Sequence, residues 1–143
     1  MRILVFSDTH GDADVMLEAL AAAPCGMLLH LGDCTADCEE VRMLYPDVTV
    51  WQVAGNDYRD TMSGIHYEDL FEAGGVRIFM AHGHRYGVRS GPDMLCARAE
   101  TCGASLALYG HTHVAQTGRC GNVTYFTLAA RRTRAISAAV RMA

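Results

Sequence analysis

The chain contains no lysine: all twelve of its basic residues are arginine. Arginine forks suit phosphate recognition, but we read the missing lysine as compositional bias, which assigns no function by itself. Against sixteen acidic residues the net charge is -4, which leaves no basic footprint for nucleic acid and argues against attachment to a membrane surface. No apolar run approaches the ~20 residues of a membrane span. The run Ile3-Leu4-Val5-Phe6 behind Met1-Arg2 is too short for the core of a signal peptide. Without a secretory signal, Cys25, Cys34, Cys38, Cys96, Cys102 and Cys120 are expected to be reduced thiols in a cytoplasmic protein. Cys34 and Cys38 lack a second cysteine or histidine pair nearby to complete a structural zinc site, so buried or half-buried thiols are expected there. Repeats, low-complexity tracts and linkers are missing too. What remains is 143 residues, half of them hydrophobic, consistent with one domain over 1–143 and a substantial core.

The opening half reads β-α-β-α-β. Arg2 to Phe6 is a branched apolar run with the pattern of a buried strand. Asp12 to Ala23 sets Met16, Ala19, Leu20 and Ala23 at helical spacing, with Asp12 as N-cap and Pro24 as stop. Met27 to Leu31 is a second strand, Thr35 to Tyr45 a second helix stopped by Pro46, and Val48 to Val53 a third strand. This order predicts a parallel sheet with right-handed crossovers. From Ile65 the pattern changes. His66 to Phe71 and Val76 to Ala81 flank Gly74-Gly75, a hairpin signal. Pro92 opens a helix reaching about Cys102, and Ser105 to Tyr109 is a strand. Val123 to Leu128 and Ala135 to Val140 read as further, antiparallel strands. A mixed sheet or two packed sheets fits this order.

Five Gly-punctuated blocks carry the chemistry: Ser7-Asp8-Thr9-His10-Gly11, Leu31-Gly32-Asp33, Ala54-Gly55-Asn56-Asp57, Ala81-His82-Gly83-His84 and Gly110-His111-Thr112-His113. Most follow an apolar run, so each candidate ligand falls where a strand gives way to a loop, the edge at which open α/β sheets place their sites. Each block alone can be a turn or a cap. Their conjunction is what counts, because five of the seven histidines fall inside the blocks and only His30 and His66 lie outside. His30 is expected to be packed and His66 solvated. Asp8, His10, Asp33, Asn56, His82, His111 and His113 offer imidazole and carboxylate without thiolate, a set that suits Mn, Fe, Co, Ni or Zn. Seven donors exceed one zinc site and suit two ions sharing a carboxylate.

On these blocks, in this order, the whole chain resembles the calcineurin-like metallophosphoesterase superfamily, and within it the small YfcE-type phosphodiesterases. The resemblance implies a four-layer α/β/β/α sandwich with mixed sheets and a dinuclear site at one edge. It implies that Asp8, His10, Asp33 and His113 hold one ion and Asp33, Asn56, His82 and His111 the other, with Asp33 as bridge. It implies two divalent ions, usually manganese and sometimes nickel, iron, cobalt or zinc. Such ions share a hydroxide that attacks phosphorus in line on a small phosphate ester.

Two departures from the family pattern bear on substrate. Many members carry a histidine just after the asparagine, where it protonates the leaving group; here the position is Asp57, which leaves the acid open between Asp57 and His84. The family's Asn-Pro-Gly-Ser turn is replaced by Leu128-Ala129-Ala130-Arg131-Arg132, and Arg131, Arg132 and Arg134 are either phosphate contacts or a solvated basic turn. Two other functions compete with a phosphodiesterase: a scaffold, since a eukaryotic retromer subunit uses the same fold mainly for interaction, and a nuclease, which the acidic charge disfavours. Self-association stays open.

Overall fold

The computed structural model describes residues 2–128, together with the backbone of 130–131, 134–135 and 138–141. Alternation along β1 (Arg2–Phe6) sorts its side chains to two faces: Ile3 and Val5 join one buried cluster, Leu4 and Phe6 another. A strand apolar on both faces must be covered on both. On one face lie α1 (Asp14–Ala22) and α2 (Cys38–Leu44), which bring Met16, Leu20, Cys38 and Val41 against Leu4, Phe6 and Leu28. On the other face lies a second sheet.

The first sheet runs β11-β1-β2-β3, where β2 is Met27–His30, β3 is Thr49–Gln52 and β11 is Ala138–Arg141; β1, β2 and β3 are parallel and β11 is antiparallel. The second runs β4-β5-β6-β8-β7. Its hairpin of β4 (Glu68–Ala73) and β5 (Val76–Ala81) turns at Gly74-Gly75, and β6 (Leu106–Tyr109) lies parallel to β5. The strand β8 (Val123–Thr127) is parallel to β6 and antiparallel to β7 (Gln116–Cys120), so the expected antiparallel pairing of 123–128 holds on one side only. A short pair, β9 (Ala130–Arg131) and β10 (Arg134–Ala135), stands apart.

Between the sheets, Ile3, Val5, Leu29 and Leu31 meet Ile78, Met80, Leu106 and Leu108. Outside the second sheet, α4 (Asp93–Thr101) packs Leu95, Cys96 and Ala99 against Phe79, Ala107, Tyr109 and Tyr125. The layers are therefore α/β/β/α, as expected. Cys34 and Cys38 are both buried free thiols. Several boundaries move: α2 begins at Cys38 after a 3-10 turn over Thr35–Asp37, and β4 runs Glu68–Ala73. α1 is capped by Ala13 without a side-chain bond, the Asp12 amide closing a turn onto the Thr9 carbonyl in the preceding loop. No side chain of Arg131, Arg132 or Arg134 lies among the described residues.

Candidate metal centre

All five blocks sit beyond the C-terminal ends of β1, β2, β3, β5 and β6, and both sheets deliver them to the same rim. The backbone there is held in an uncommon conformation. Positive φ occurs at Asp8, His10, Asp33, Cys34, His111 and His113 among described non-glycine residues, and five of these six are candidate ligands. Left-handed backbone costs a non-glycine residue about 1–2 kcal/mol. Its concentration on candidate donor residues is the pattern that strained backbone shows at functional sites.

Two glycines are required by close approach. A Cβ at Gly55 would fall on the Asp33 carboxylate and amide, and one at Gly110 would fall on the Ser7 hydroxyl and the Asp8 carboxylate. The loops therefore touch through their backbones, which lets side chains from distant segments share one small volume.

The donor atoms converge in two overlapping groups: Asp8 with His10 and His113, and Asp8 with Asp33 and His82, each within 4.8 Å. Asp8 is thus common to both. Its Oδ2 accepts from Ser7 and from the His111 amide, and its Oδ1 lies 3.1 Å from His113 Nε2. His10 is half-exposed at 4.0 Å from Asp8 Oδ1.

His82, fully buried, shows what such a set accommodates. Its Nδ1 lies 2.8 Å from the Leu31 carbonyl oxygen, which only accepts, so Nδ1 carries the proton and Nε2 presents a lone pair. Around that lone pair lie Asn56 Oδ1 at 3.0 Å, His111 Nδ1 at 3.2 Å, Asp33 Oδ2 at 3.5 Å and Asp8 Oδ1 at 3.9 Å. Electron-pair donors this close, two of them carboxylates, are stabilised by a cation among them. The donor set therefore fits divalent metal.

Two buried groups to which the sequence reading assigned no role hold this rim. Asp60, at the end of the short helix α3 (Tyr58–Thr61), is 1% exposed. Its carboxylate accepts from the Asp33 amide, the Gly55 amide, and both the amide and hydroxyl of Thr35, at 2.8–2.9 Å. Burial alone would raise its pKa, but these bonds outweigh it and hold the carboxyl below the ordinary range. The second is His30, packed as expected. Its Nδ1 accepts from the Gly32 amide, so Nε2–H donates to Thr9 Oγ1, whose own proton goes to Asp37 at 2.6 Å. This string pins Thr9, which sits between Asp8 and His10. Burial drives the His30 pKa down to about 4, against the pull of Asp60, Asp37 and Asp8. His66 is exposed.

Asp57 and His84 stand differently. The Asp57 carboxylate caps α3 by accepting from the Arg59 amide, while its own amide donates to Asp33 Oδ1 at 2.9 Å. His84 lies 5.4 Å from the His82 ring and 6.1 Å from that of His111, edge-on to Tyr67. Burial, then His82 and His111, hold its pKa below the ordinary value, and its buried Nδ1 has no partner among the described residues. The His111 ring is lowered in turn by burial, His82 and Arg89.

Residues 1–132 match the model of the calcineurin-like phosphoesterase superfamily domain. The chain belongs to that superfamily. The superfamily is metal-dependent, and the donor set just described fits that property. A probable metallophosphoesterase of Bacillus subtilis (strain 168), YsnB, is 29% identical over 124 residues, covering 80% of this chain and 66% of that protein. This chain thus spans slightly less than two-thirds of that relative's length. Two solved structures share the superfamily fold. A conserved uncharacterized protein of Streptococcus pneumoniae TIGR4, described as a predicted phosphoesterase, has a TM-score of 0.71 at 24% identity, covering 90% of this chain and 71% of its own. Vps29 of Entamoeba histolytica, complexed with zinc, has a TM-score of 0.67 at 19% identity, covering 90% and 74%. Among the described residues no helix is long and apolar enough to cross a membrane.

Proposed function

We propose that this chain is a metal-dependent phosphodiesterase that hydrolyses small phosphate esters with two divalent ions held by Asp8, His10, Asp33, Asn56, His82, His111 and His113. The observation that carries this reading is the His82 Nε2 lone pair facing Asn56, His111, Asp33 and Asp8 within 3.9 Å. These residues would hold two divalent ions, which would supply a water of lowered pKa and positive charge for the phosphoryl oxygens. Manganese is the first choice, with nickel, iron, cobalt and zinc as alternatives. Asp33 would hold both ions, with Asp8, which lies in both donor groups, as a further carboxylate beside it. Asn56 is a neutral oxygen donor, so an ion held by it would keep more positive charge than a further carboxylate would leave.

The chain's own residues supply orientation. The Leu31 carbonyl fixes the His82 ring, and the amides of Asp57 and His111 each hold one carboxylate oxygen, on Asp33 and Asp8. Asp57 stands where a leaving-group acid is often found, yet its carboxylate is engaged as a helix cap. That engagement favours esters with good leaving groups, with His84 beside the centre as the remaining contact for the departing oxygen.

The likeness to Vps29 supports a second reading, a metal-binding interaction module. A matrix of manganese, nickel, cobalt, zinc and iron(II) against bis(p-nitrophenyl) phosphate and p-nitrophenyl phosphate separates the two. The enzyme reading expects metal-dependent turnover, faster on the diester. A metal-replete protein inactive on both esters would replace it with the interaction module.

A further inference from the structure

Two clefts open near the centre. The first, about 650 Å³, is lined by Tyr67, Glu68, Arg85 and Arg98 among others, and its charges are engaged. Arg98 pairs with Glu68 at 2.7 Å, Tyr86 donates to Glu68, and Arg85 stacks 3.8 Å over the Tyr67 ring. The second, about 630 Å³, lies between residues 88–92 and 111–116, and its wall includes His111 and His113 themselves. That volume falls within the range of small-molecule sites. Among the described residues, none lining it is acidic and Arg89 is the one guanidinium. Among the described residues no carboxylate pairs with Arg89. Val88, Pro92 and Val114 give the same cleft an apolar surface, with Val114 63% exposed.

A cleft that begins at two donor histidines is where a phosphate ester held at the centre would extend its organic part. An apolar wall accepts an aryl or similar group, and a guanidinium prefers one carrying an anion that it can bind through two N–H groups. We propose that this cleft seats the organic substituent of the ester, and that Arg89 selects substituents bearing a negative charge of their own, a carboxylate or a second phosphate. The proposal rests on the phosphoesterase reading for the identity of the reacting group, and it specifies the substrate class.

Binding of two arylphosphonates to the manganese-loaded protein, by isothermal titration calorimetry, tests the selection without turnover. Their P–C bond replaces the ester, so neither is hydrolysed. 3-Carboxyphenylphosphonate is expected to bind about tenfold tighter than phenylphosphonate, the scale of one charge-assisted hydrogen-bonded pair. Arg89→Ala is expected to bring the two affinities together, and Arg89→Lys to keep part of the preference. Arg89 is exposed, so both variants should keep the parent melting temperature. Equal affinities in the parent protein, an undiminished preference in Arg89→Ala, or no binding of either phosphonate would overturn the proposal. Turnover of bis(p-nitrophenyl) phosphate, measured alongside, reports separately on the reaction. An intact arylphosphonate preference without turnover on any ester would remove the phosphoesterase reading and leave the anion-selective cleft standing.

Discussion

Asp60 reaches the centre through the backbone of other residues. Its carboxylate ties the loop after β2, at Asp33 and Thr35, to the loop after β3, at Gly55. Asp60→Asn turns an amide –NH₂ toward amides that need an acceptor, so it should cost about 2 kcal/mol of stability and weaken manganese binding by about 10–100-fold. Urea unfolding of the metal-free variant and manganese calorimetry measure the two effects separately. Unchanged manganese affinity would reduce Asp60 to a purely structural residue. His30 gives a pH dependence. Its folded pKa of about 4 lies below the ordinary 6.5, so the unfolded chain takes up a proton that the folded chain refuses. The stability tied to neutral His30 is complete above pH 6.5 and is lost as pH falls toward 4. Between pH 7 and pH 5 that loss is about 2 kcal/mol. Urea titrations of chelator-treated protein should show this slope, and His30→Gln should flatten it; parallel slopes would show that His30 does not carry it.

Among the elements, those that deliver donor residues were the legible ones. β1, β2, β5 and β6 are apolar runs followed within two residues by Gly or Asp, so both the strand and the block after it could be read from sequence. β7 could not be, because Gln116-Thr117-Gly118-Arg119-Cys120 is a largely exposed edge whose polarity erases the alternation on which strand reading depends. The four-residue α3 is too short to show a helical period, and Asp60 on it looks like any turn aspartate. Its role exists only after β2 and β3 are placed side by side. The contacts between loops are equally invisible in sequence and give a prediction for Gly110, where a side chain would meet Ser7 and Asp8. Gly110→Ala should destabilise by about 1–3 kcal/mol and lower manganese affinity more than Gly26→Ala, a change into open space at a site remote from the rim. Equal effects of the two substitutions on manganese binding would separate the loop contact from the centre.

At the scale of the whole molecule, the candidate ligands divide between the sheets. Asp8, His10, Asp33 and Asn56 follow the parallel strands of one sheet, and His82, His111 and His113 follow strands of the other. Ions bound at the rim therefore join the two layers in addition to the apolar contacts between them. Free manganese at a hundred times its dissociation constant should stabilise the fold by about 2.7 kcal/mol, which for a chain this size raises the melting temperature by several degrees. Asp33→Ala should lose most of that rise, and a rise unchanged by the substitution would place the stabilising ion elsewhere. The division into two ions centred on Asp33 is tested most directly by anomalous diffraction at the manganese edge, on crystals of the manganese-loaded protein. Two peaks about 3.5–4 Å apart, both within bonding distance of the Asp33 carboxylate, are the expected result. A single peak, or two peaks that leave Asp33 uncoordinated, would contradict it.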